Sequence, residues 1–344
     1  MKLGVIYEPS SNAYYRAIIP MQALEGRGHT VVWPTKVDDV PLREFLGCDL
    51  VHCYRRLDRF GDLRKLSERG VAISFDNDDD FAAAEVSDGG KGLQGHRYNK
   101  EIFREVLQAA RLADLTTTPN ELLAERYRSA GVDHVAVIEN HLQRDMFGFG
   151  SKSKHEGVVI GWVAGREHKL DLERLPVADA LKRLLEVHPD LRILTVGVRL
   201  PLHSERYEHI LDVHFHDLLK ITGRMDIGIA PLIDTAFNRS RSNVKLKEYS
   251  SAGAIWLASP VGPYRALGEK QGGRLVADHD WFSAIDELIR NPRRRKRLAR
   301  RALKWAKTQT IDHHARTWEN AFLDATERVQ QRNDAPRRAA AAAR

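Results

Sequence analysis

The sequence predicts an α/β protein built of two doubly wound, Rossmann-like domains facing a cleft. Three observations lead there. Short β-branched or apolar runs alternate with amphipathic helical patterns almost throughout the 344 residues. Most of those runs are apolar without a polar alternation, as strands covered on both faces of a parallel sheet must be. A stretch rich in Gly, Ser and charge, His141–Gly157, interrupts the series and leaves one set of strands on each side.

In the first half the strand candidates are "LGVIY", "TVVW", "DLVHC", "VAISF", "DLTTT" and "VAVIE". Helical spacing lies between most of them, over Ala13–Gly26, Tyr98–Leu112 and Asn120–Ala130. The second set is "GVVIGWV", "LRILTVG", "DVHF", "DIGIAP", "AIWLAS" and "GRLVA". The expected organisation is a first domain over 1–145, a second over 156–310, a helix over 311–330, and a disordered tail over 331–344. In such open sheets ligands bind beyond the carboxyl ends of the strands, so the loops that follow strands are the candidate site.

Hydrophobic residues make up 42% of the chain and the mean hydropathy is −0.44, values of a soluble globular protein. No apolar run approaches the length of a membrane span. The N-terminus, "MKLGVIYEP", enters a strand directly, without a signal-peptide pattern. The two cysteines, Cys48 and Cys53, read as core thiols of a reducing compartment. The expectation is a cytoplasmic protein, with peripheral membrane contact left open. The net charge of +7 is concentrated. Asn291–Lys307 carries nine basic residues and no acid, and without those nine the chain sums to about −2. That run, residues 293–307, is an amphipathic helix with a solvated basic face, or a contact for an anionic partner such as a membrane surface or nucleic acid.

The richest loop-to-helix signal is Asp226–Val276: strand, polar loop, helix, strand, Gly-Pro loop, helix. Ser242 is the expected N-cap of a helix beginning near Asn243. Free amides at such an end attract anions, and Arg239, Arg241 and Lys245 add positive charge there. Lys245 and Glu248, three apart, share a helical face. The cations suit a diphosphate and the carboxylate suits a ribose diol. The plainer alternative is a surface ion pair on an ordinary helix.

A second concentration of polar chemistry is "SFDNDDDF", with Asp76, Asp78, Asp79 and Asp80 just beyond a strand. A calcium loop counted from Asp76 wants Gly sixth and Glu twelfth, and finds Phe81 and Ser87, so an EF-hand is excluded. Three readings stand: a grip on sugar hydroxyls, with one carboxylate assisting deprotonation of an acceptor; a structural turn; and a metal–diphosphate site. In "YEPSSNAYYR", Ser10, Ser11, Tyr15 and Arg16 either line the cleft or cap and pack a helix.

These segments together resemble the GT-B glycosyltransferases, most of all the bacterial surface-polysaccharide group related to the retaining, glycogen-synthase-like enzymes. The residues that carry the resemblance are Phe237, Asn238, Arg241, Ser242, Asn243, Lys245, Glu248, Tyr249 and Ala258–Tyr264. "GWVAGREHKLDL" adds Gly161, Trp162, Gly165, His168 and Asp171. In the first half the resemblance rests on the aspartate loop and on "ADLTTTPNELLAERY" with "VAVIEN". It implies a glycosyltransferase that takes a nucleotide-sugar donor and an unidentified acceptor, retains the anomeric configuration, and uses neither a metal nor a cofactor. It implies donor binding by Gly165, His168, Asn238, Arg241, Ser242, Asn243, Lys245 and Glu248, and catalytic parts for Asp78, Asp79 and Lys245. On the acceptor or cleft side it implies Ser10, Ser11, Tyr15, Arg16 and Asp76.

One position departs from the pattern. Many retaining enzymes of this fold carry a second glutamate eight residues before the one matching Glu248, and Ser240 stands there. Asp234 or Asn238 are the candidate substitutes. Two rival readings follow: a catalytically weakened sugar- or nucleotide-binding protein, favoured by Ser240, and a glycosyltransferase acting on modified DNA bases, favoured by the basic run.

Overall fold

The computed structural model describes residues 1–36, 41–84, 96–148 and 157–342. The chain forms two compact units. The first is made of Met1–Phe81, Lys100–Asn140 and Ile311–Arg344, the second of Ala82–Asn99 and His141–Thr310.

The first unit holds six strands: β1 (Lys2–Tyr7), β2 (Thr30–Val32), β3 (Leu50–Tyr54), β4 (Ala72–Asp76), β5 (Leu115–Thr118) and β6 (Val135–Val137). They pair in the order β2-β1-β3-β4-β5-β6, every neighbour parallel. All six lie where the apolar runs predicted them. Every residue of β3, β4 and β5 is buried, which accounts for their lack of alternation. The chain leaves β1 toward one side for β2 and toward the other for β3, so the switch point lies between β1 and β3.

The second unit holds β7 (Val158–Ala164), β8 (Leu191–Gly197), β9 (Tyr207–Ile210), β10 (Ile227–Ala230), β11 (Ile255–Ala258) and β12 (Gly273–Leu275). Their order is β12-β11-β10-β7-β8-β9, again all parallel, with the switch point between β7 and β10. Trp162, Ile193, Ile229, Leu257 and Trp281 lie in the core cluster on one face. Leu194, Tyr249 and Trp256 lie in the cluster on the other.

Four expectations are corrected. "DVHF" is not a strand; the edge strand is Tyr207–Ile210, only half-buried and too polar to stand out as an apolar run. The first helix is not continuous: Ser11–Ala13 and Ile19–Glu25 flank a π-type turn over Tyr14–Ile18. The C-terminal helix is not a separate element. It belongs to the first unit, where Trp318, Phe322, Ala325 and Val329 recur on one buried face. Trp318 meets the edge of His52, ring centroids 5.4 Å apart. The expected disordered tail continues this helix as far as Ala342. The linker lies outside the described residues over 149–156; ahead of that stretch Leu142 bridges Thr310.

The basic run forms the helix Pro292–Thr308, capped by Asn291, whose side chain accepts from the Arg294 amide at 2.9 Å. Leu298, Ala302 and Ala306 bury its apolar face. Two of the nine cations are structural. Arg294 bridges Glu269 and Glu287, and Arg295 donates to Leu288 O at 2.6 Å and Ile289 O at 3.2 Å. These two carbonyls belong to the last turn of the helix Trp281–Arg290, which they close. Arg293, Lys296, Arg297, Arg300, Arg301, Lys304 and Lys307 are exposed.

Candidate functional site

The polar chemistry of the second unit gathers on the loops after β7 and β10, the two sides of its switch point. Adjacent glycines let neighbouring side chains lie directly on the sheet there. Gly161 on β7 and Gly228 on β10 stand in register. A Cβ on Gly228 would sit 2.4 Å from the Tyr249 ring, so the ring lies directly on the strand. The Tyr249 hydroxyl accepts from Val163 N at 2.9 Å and donates to Ile229 O at 3.0 Å, pinning the helix Val244–Ser251 across both strand ends. Lys245, one turn earlier on that helix, donates to Val163 O. Its Nζ also lies 3.4 Å from His168 Nε2.

His168 follows β7 at the end of the short turn Arg166–His168 and is 1% exposed. Its Nδ1 is 2.8 Å from Asp171 Oδ2. The other Asp171 oxygen accepts from Ile233 N at 2.8 Å and from Asn238 Nδ2 at 2.9 Å. Asp171 thus ties the loop after β7 to the loop after β10. Asn238 Nδ2 also donates to Ile233 O at 3.0 Å, which holds the turn ahead of the short helix Ala236–Arg239.

Arg241 Nη2 donates to Glu167 Oε1 at 3.1 Å, and its guanidinium lies over the Phe237 ring, 5.4 Å from the centroid. Ser240 is buried, with Oγ donating to Phe237 O at 2.8 Å. Asp234 is partly exposed and pairs with Arg239 at 2.6 Å and Arg265 at 3.0 Å. The Gly262 loop presses on this short helix: φ is 54° there, and a Cβ would sit 2.7 Å from Arg239 O. Ser242 does not cap the following helix. Asn243 is the N-cap and makes no side-chain cap bond, because the helix starts one residue later than the sequence suggests. Glu248 is buried one turn beyond Lys245. Gly165 lies partly buried at the turn, its carbonyl accepting from His168 N at 3.1 Å.

The charges here are strained. Desolvation, with the Arg241 charge second, lowers Lys245 to about 8. Desolvation, then Lys245 and Arg241, lowers His168 to about 3, so its imidazole is neutral. Burial alone would raise Glu167, but Arg241 and Lys245 outweigh it and hold the carboxyl below its usual range. The site is therefore a half-buried pair of cations set against Glu167, with the Asp171 and Glu248 carboxylates close by.

In the first unit the aspartates answer to guanidinium groups one by one. Asp76 pairs with Arg16 at 2.6 Å, both fully buried; Arg16 also donates to Ile138 O and, at 2.9 Å, to Asn140 Oδ1. Asp80 pairs with Arg126 at 2.7 Å. Asp78 and Asp79 share Arg55, which lies 2.7 Å from Asp78 Oδ1 and also reaches Asp79 Oδ2. The Tyr54 hydroxyl donates to Asp78 Oδ1 at 2.9 Å. Burial raises Asp78 to about 6, with Arg55 opposing and Asp79 and Asp76 adding to the rise. Arg55 follows β3 beside the switch point and has φ of 56°, a conformation that few residues with a Cβ adopt.

The sequence expectation put Arg16, Asp76 and Tyr15 at the cleft. The structure buries all three: Arg16 and Asp76 are a 0%-exposed clamp between the π-type turn and β4, and Tyr15 is 3% exposed. Ser10 is half-buried and Ser11 exposed. Asp79 keeps partial exposure. Four residues at these sites were absent from the sequence expectation: Glu167, Arg55, Tyr54 and, as a site residue, Asp171. Their shared sequence signal is position, since each lies at or within eight residues of the end of β3 or β7, and Asp171 also falls in the motif that carries the resemblance.

Two parallel sheets of this order, each with its polar loops at the carboxyl strand ends, define the GT-B architecture. No family model matches the chain. It is 26% identical over 274 residues to a D-inositol 3-phosphate glycosyltransferase of Stackebrandtia nassauensis, a match covering 70% of this chain and 59% of that relative. Among solved structures, it superposes on an alpha-glucosyltransferase in complex with UDP-glucose and DNA containing an abasic site, with a TM-score of 0.67 at 10% identity. That match covers 95% of this chain and 99% of the other. Anabaena HepE in complex with UDP and glucose gives a TM-score of 0.63 at 12% identity, covering 97% and 99%.

Proposed function

We propose that the chain is a glycosyltransferase that moves a sugar from a nucleotide-sugar donor to an acceptor hydroxyl, with retention at the anomeric carbon. The observation that carries this is the Arg241 and Lys245 pair, half-buried at the β7/β10 switch point, with Arg241 on Glu167 and Lys245 on Val163 O and beside His168 Nε2. Two cations on loops at the carboxyl ends of the strands suit a diphosphate. The ligands named in the HepE and alpha-glucosyltransferase structures, UDP and UDP-glucose, are of this chemistry.

In this reading the bond from the anomeric carbon to the diphosphate oxygen breaks and the diphosphate leaves with the electron pair. Lys245 and Arg241 stabilise the charge that develops, and fixed cations take the part a metal ion plays elsewhere. The acceptor oxygen bonds to the anomeric carbon and gives up its proton. Asp78 and Asp79 bind acceptor hydroxyls, and Asp78 is the carboxylate suited to take a proton. Glu248 holds the ribose. Peripheral contact with an anionic surface is assigned to the exposed face of Pro292–Thr308.

A second reading, transfer to a modified DNA base, is supported by the DNA in the alpha-glucosyltransferase structure and by that same basic face. A third, a weakened binding protein, is favoured by Ser240. Nucleotide-sugar hydrolysis measured with and without duplex DNA separates them. Hydrolysis stimulated only by DNA selects the second, and nucleotide binding without turnover selects the third. Absence of any nucleotide or nucleotide-sugar binding refutes the proposal.

A further inference from the structure

Asp171 is 2% exposed, and its hydrogen bonds run to the loops after β7 and β10. One oxygen takes Ile233 N and Asn238 Nδ2 from the loop after β10. The other takes His168 Nδ1, which fixes the imidazole with its proton on that nitrogen and its Nε2 lone pair toward Lys245. A carboxylate buried to this degree serves first as a loop tie, and tying the loops alone needs no histidine. The imidazole extends the carboxylate's reach to a cation that it does not touch. This is the arrangement by which a second residue orients the group that meets the ligand.

We propose that Asp171 is a positioning residue for the donor diphosphate: through His168 it orients the Lys245 ammonium. The inference rests on Lys245 meeting the diphosphate, as above. The groups facing Lys245 are Arg241 from its own loop, Glu167 and His168 from the loop after β7, Asp171 from the helix Lys169–Arg174, and Glu248 from its own helix. Among them Arg241 lowers the Lys245 pKa, while Glu167, Glu248 and Asp171 raise it. Removing the Asp171 charge therefore moves the lysine toward the neutral form, and leaves its contact to Val163 O in place. A role confined to holding the two loops would lower stability without moving that titration.

The test uses the full chain and two measurements. Lysine side-chain NMR follows the Lys245 titration, its resonance assigned by loss in Lys245→Arg. Calorimetry follows the binding of uridine diphosphate at pH 7.5. In Asp171→Asn the Lys245 midpoint is expected to fall below the parent's, and affinity to drop on the order of tenfold, the scale of one lost charge-assisted hydrogen bond. His168→Gln keeps an acceptor near Lys245 but breaks the link to Asp171, and should lower the midpoint in the same direction. The double variant should bind about as well as the weaker single one, because both changes cut the same connection. An unmoved midpoint in both variants overturns the proposal, as does a double variant whose losses simply add. If Asp171→Asn does not fold, His168→Gln alone decides by the same midpoint. Failure of the parent chain to bind uridine diphosphate would count against the donor-site reading instead, and the lysine titration would still judge the role of Asp171.

Discussion

Lys245 Nζ and His168 Nε2 lie 3.4 Å apart, joining a helix after β10 to a turn after β7. A neutral imidazole beside an ammonium of lowered pKa is a device for holding a cation ready in a place that disfavours it.

Lys245→Ala should cut the catalytic rate more than it weakens donor binding, since charge on the leaving diphosphate is greatest in the transition state. Glu248→Ala should act the other way, weakening nucleotide binding by about 1.5–3 kcal/mol. Calorimetry with a nucleoside diphosphate beside single-turnover kinetics separates the two. Parent-like behaviour in both variants would reduce these residues to packing.

The pH profile of kcat/KM should be bell-shaped, reporting groups of the free enzyme. Asp78 holds its proton up to about 6, so activity is lost as pH falls through that value. Lys245 loses its proton near 8, so activity is lost again as pH rises through it. Lys245→Arg should remove the alkaline limb, and Asp78→Asn should abolish the acid one along with most turnover. A flat profile from pH 5 to 9 contradicts both roles.

Asp78 also bears on stability, with a definite sign. Its folded pKa is raised, so the folded chain holds this proton more tightly than the unfolded chain does. The contribution from this group therefore grows as pH falls from above 6 toward the ordinary aspartate value. Urea unfolding at pH 7 should find Asp78→Asn no less stable than the parent. By contrast, Asp76→Asn leaves Arg16 charged, buried and short of its partner, and should cost about 3–5 kcal/mol.

Removing the exposed cations Arg293, Arg297, Arg300 and Lys304, each to Gln, should weaken binding to anionic vesicles or duplex DNA and flatten its salt dependence. The fold and nucleotide binding should survive, since Arg294 and Arg295, which brace neighbouring helices, are kept. If the parent binds neither at low salt, the helix face is only solvated.

Eleven of the twelve strands among the described residues were legible because parallel strands buried on both faces read as plain apolar runs. The twelfth, Tyr207–Ile210, lies at a sheet edge, where one flank is wet and the pattern dissolves. Arg16 looked like a cleft residue because a charge after a strand usually meets solvent. Asp76, sixty residues away, supplies the partner that lets it be buried, and local sequence does not show that pairing. Arg55 escaped notice for a related reason. Its importance lies in a backbone angle and in two carboxylates from the next strand's loop, neither visible in "YRRLDR". Asp171 could be read as part of a motif, but only the folded loops reveal that one carboxylate serves three partners.

The return of the C-terminal helix has a consequence for the order in which the molecule is made. Strands β1 to β6 leave the ribosome before most of the second unit, yet the helix that covers part of their own unit, with Trp318 against His52, follows it. The second unit draws on nothing beyond Thr310, while the first still waits for the segment that begins at Ile311. During that interval the apolar surface later covered by Trp318, Phe322 and Val329 is open to water, and to other nascent chains. A chain cut short after Thr310 should therefore show a protease-resistant second unit and a first unit that remains susceptible.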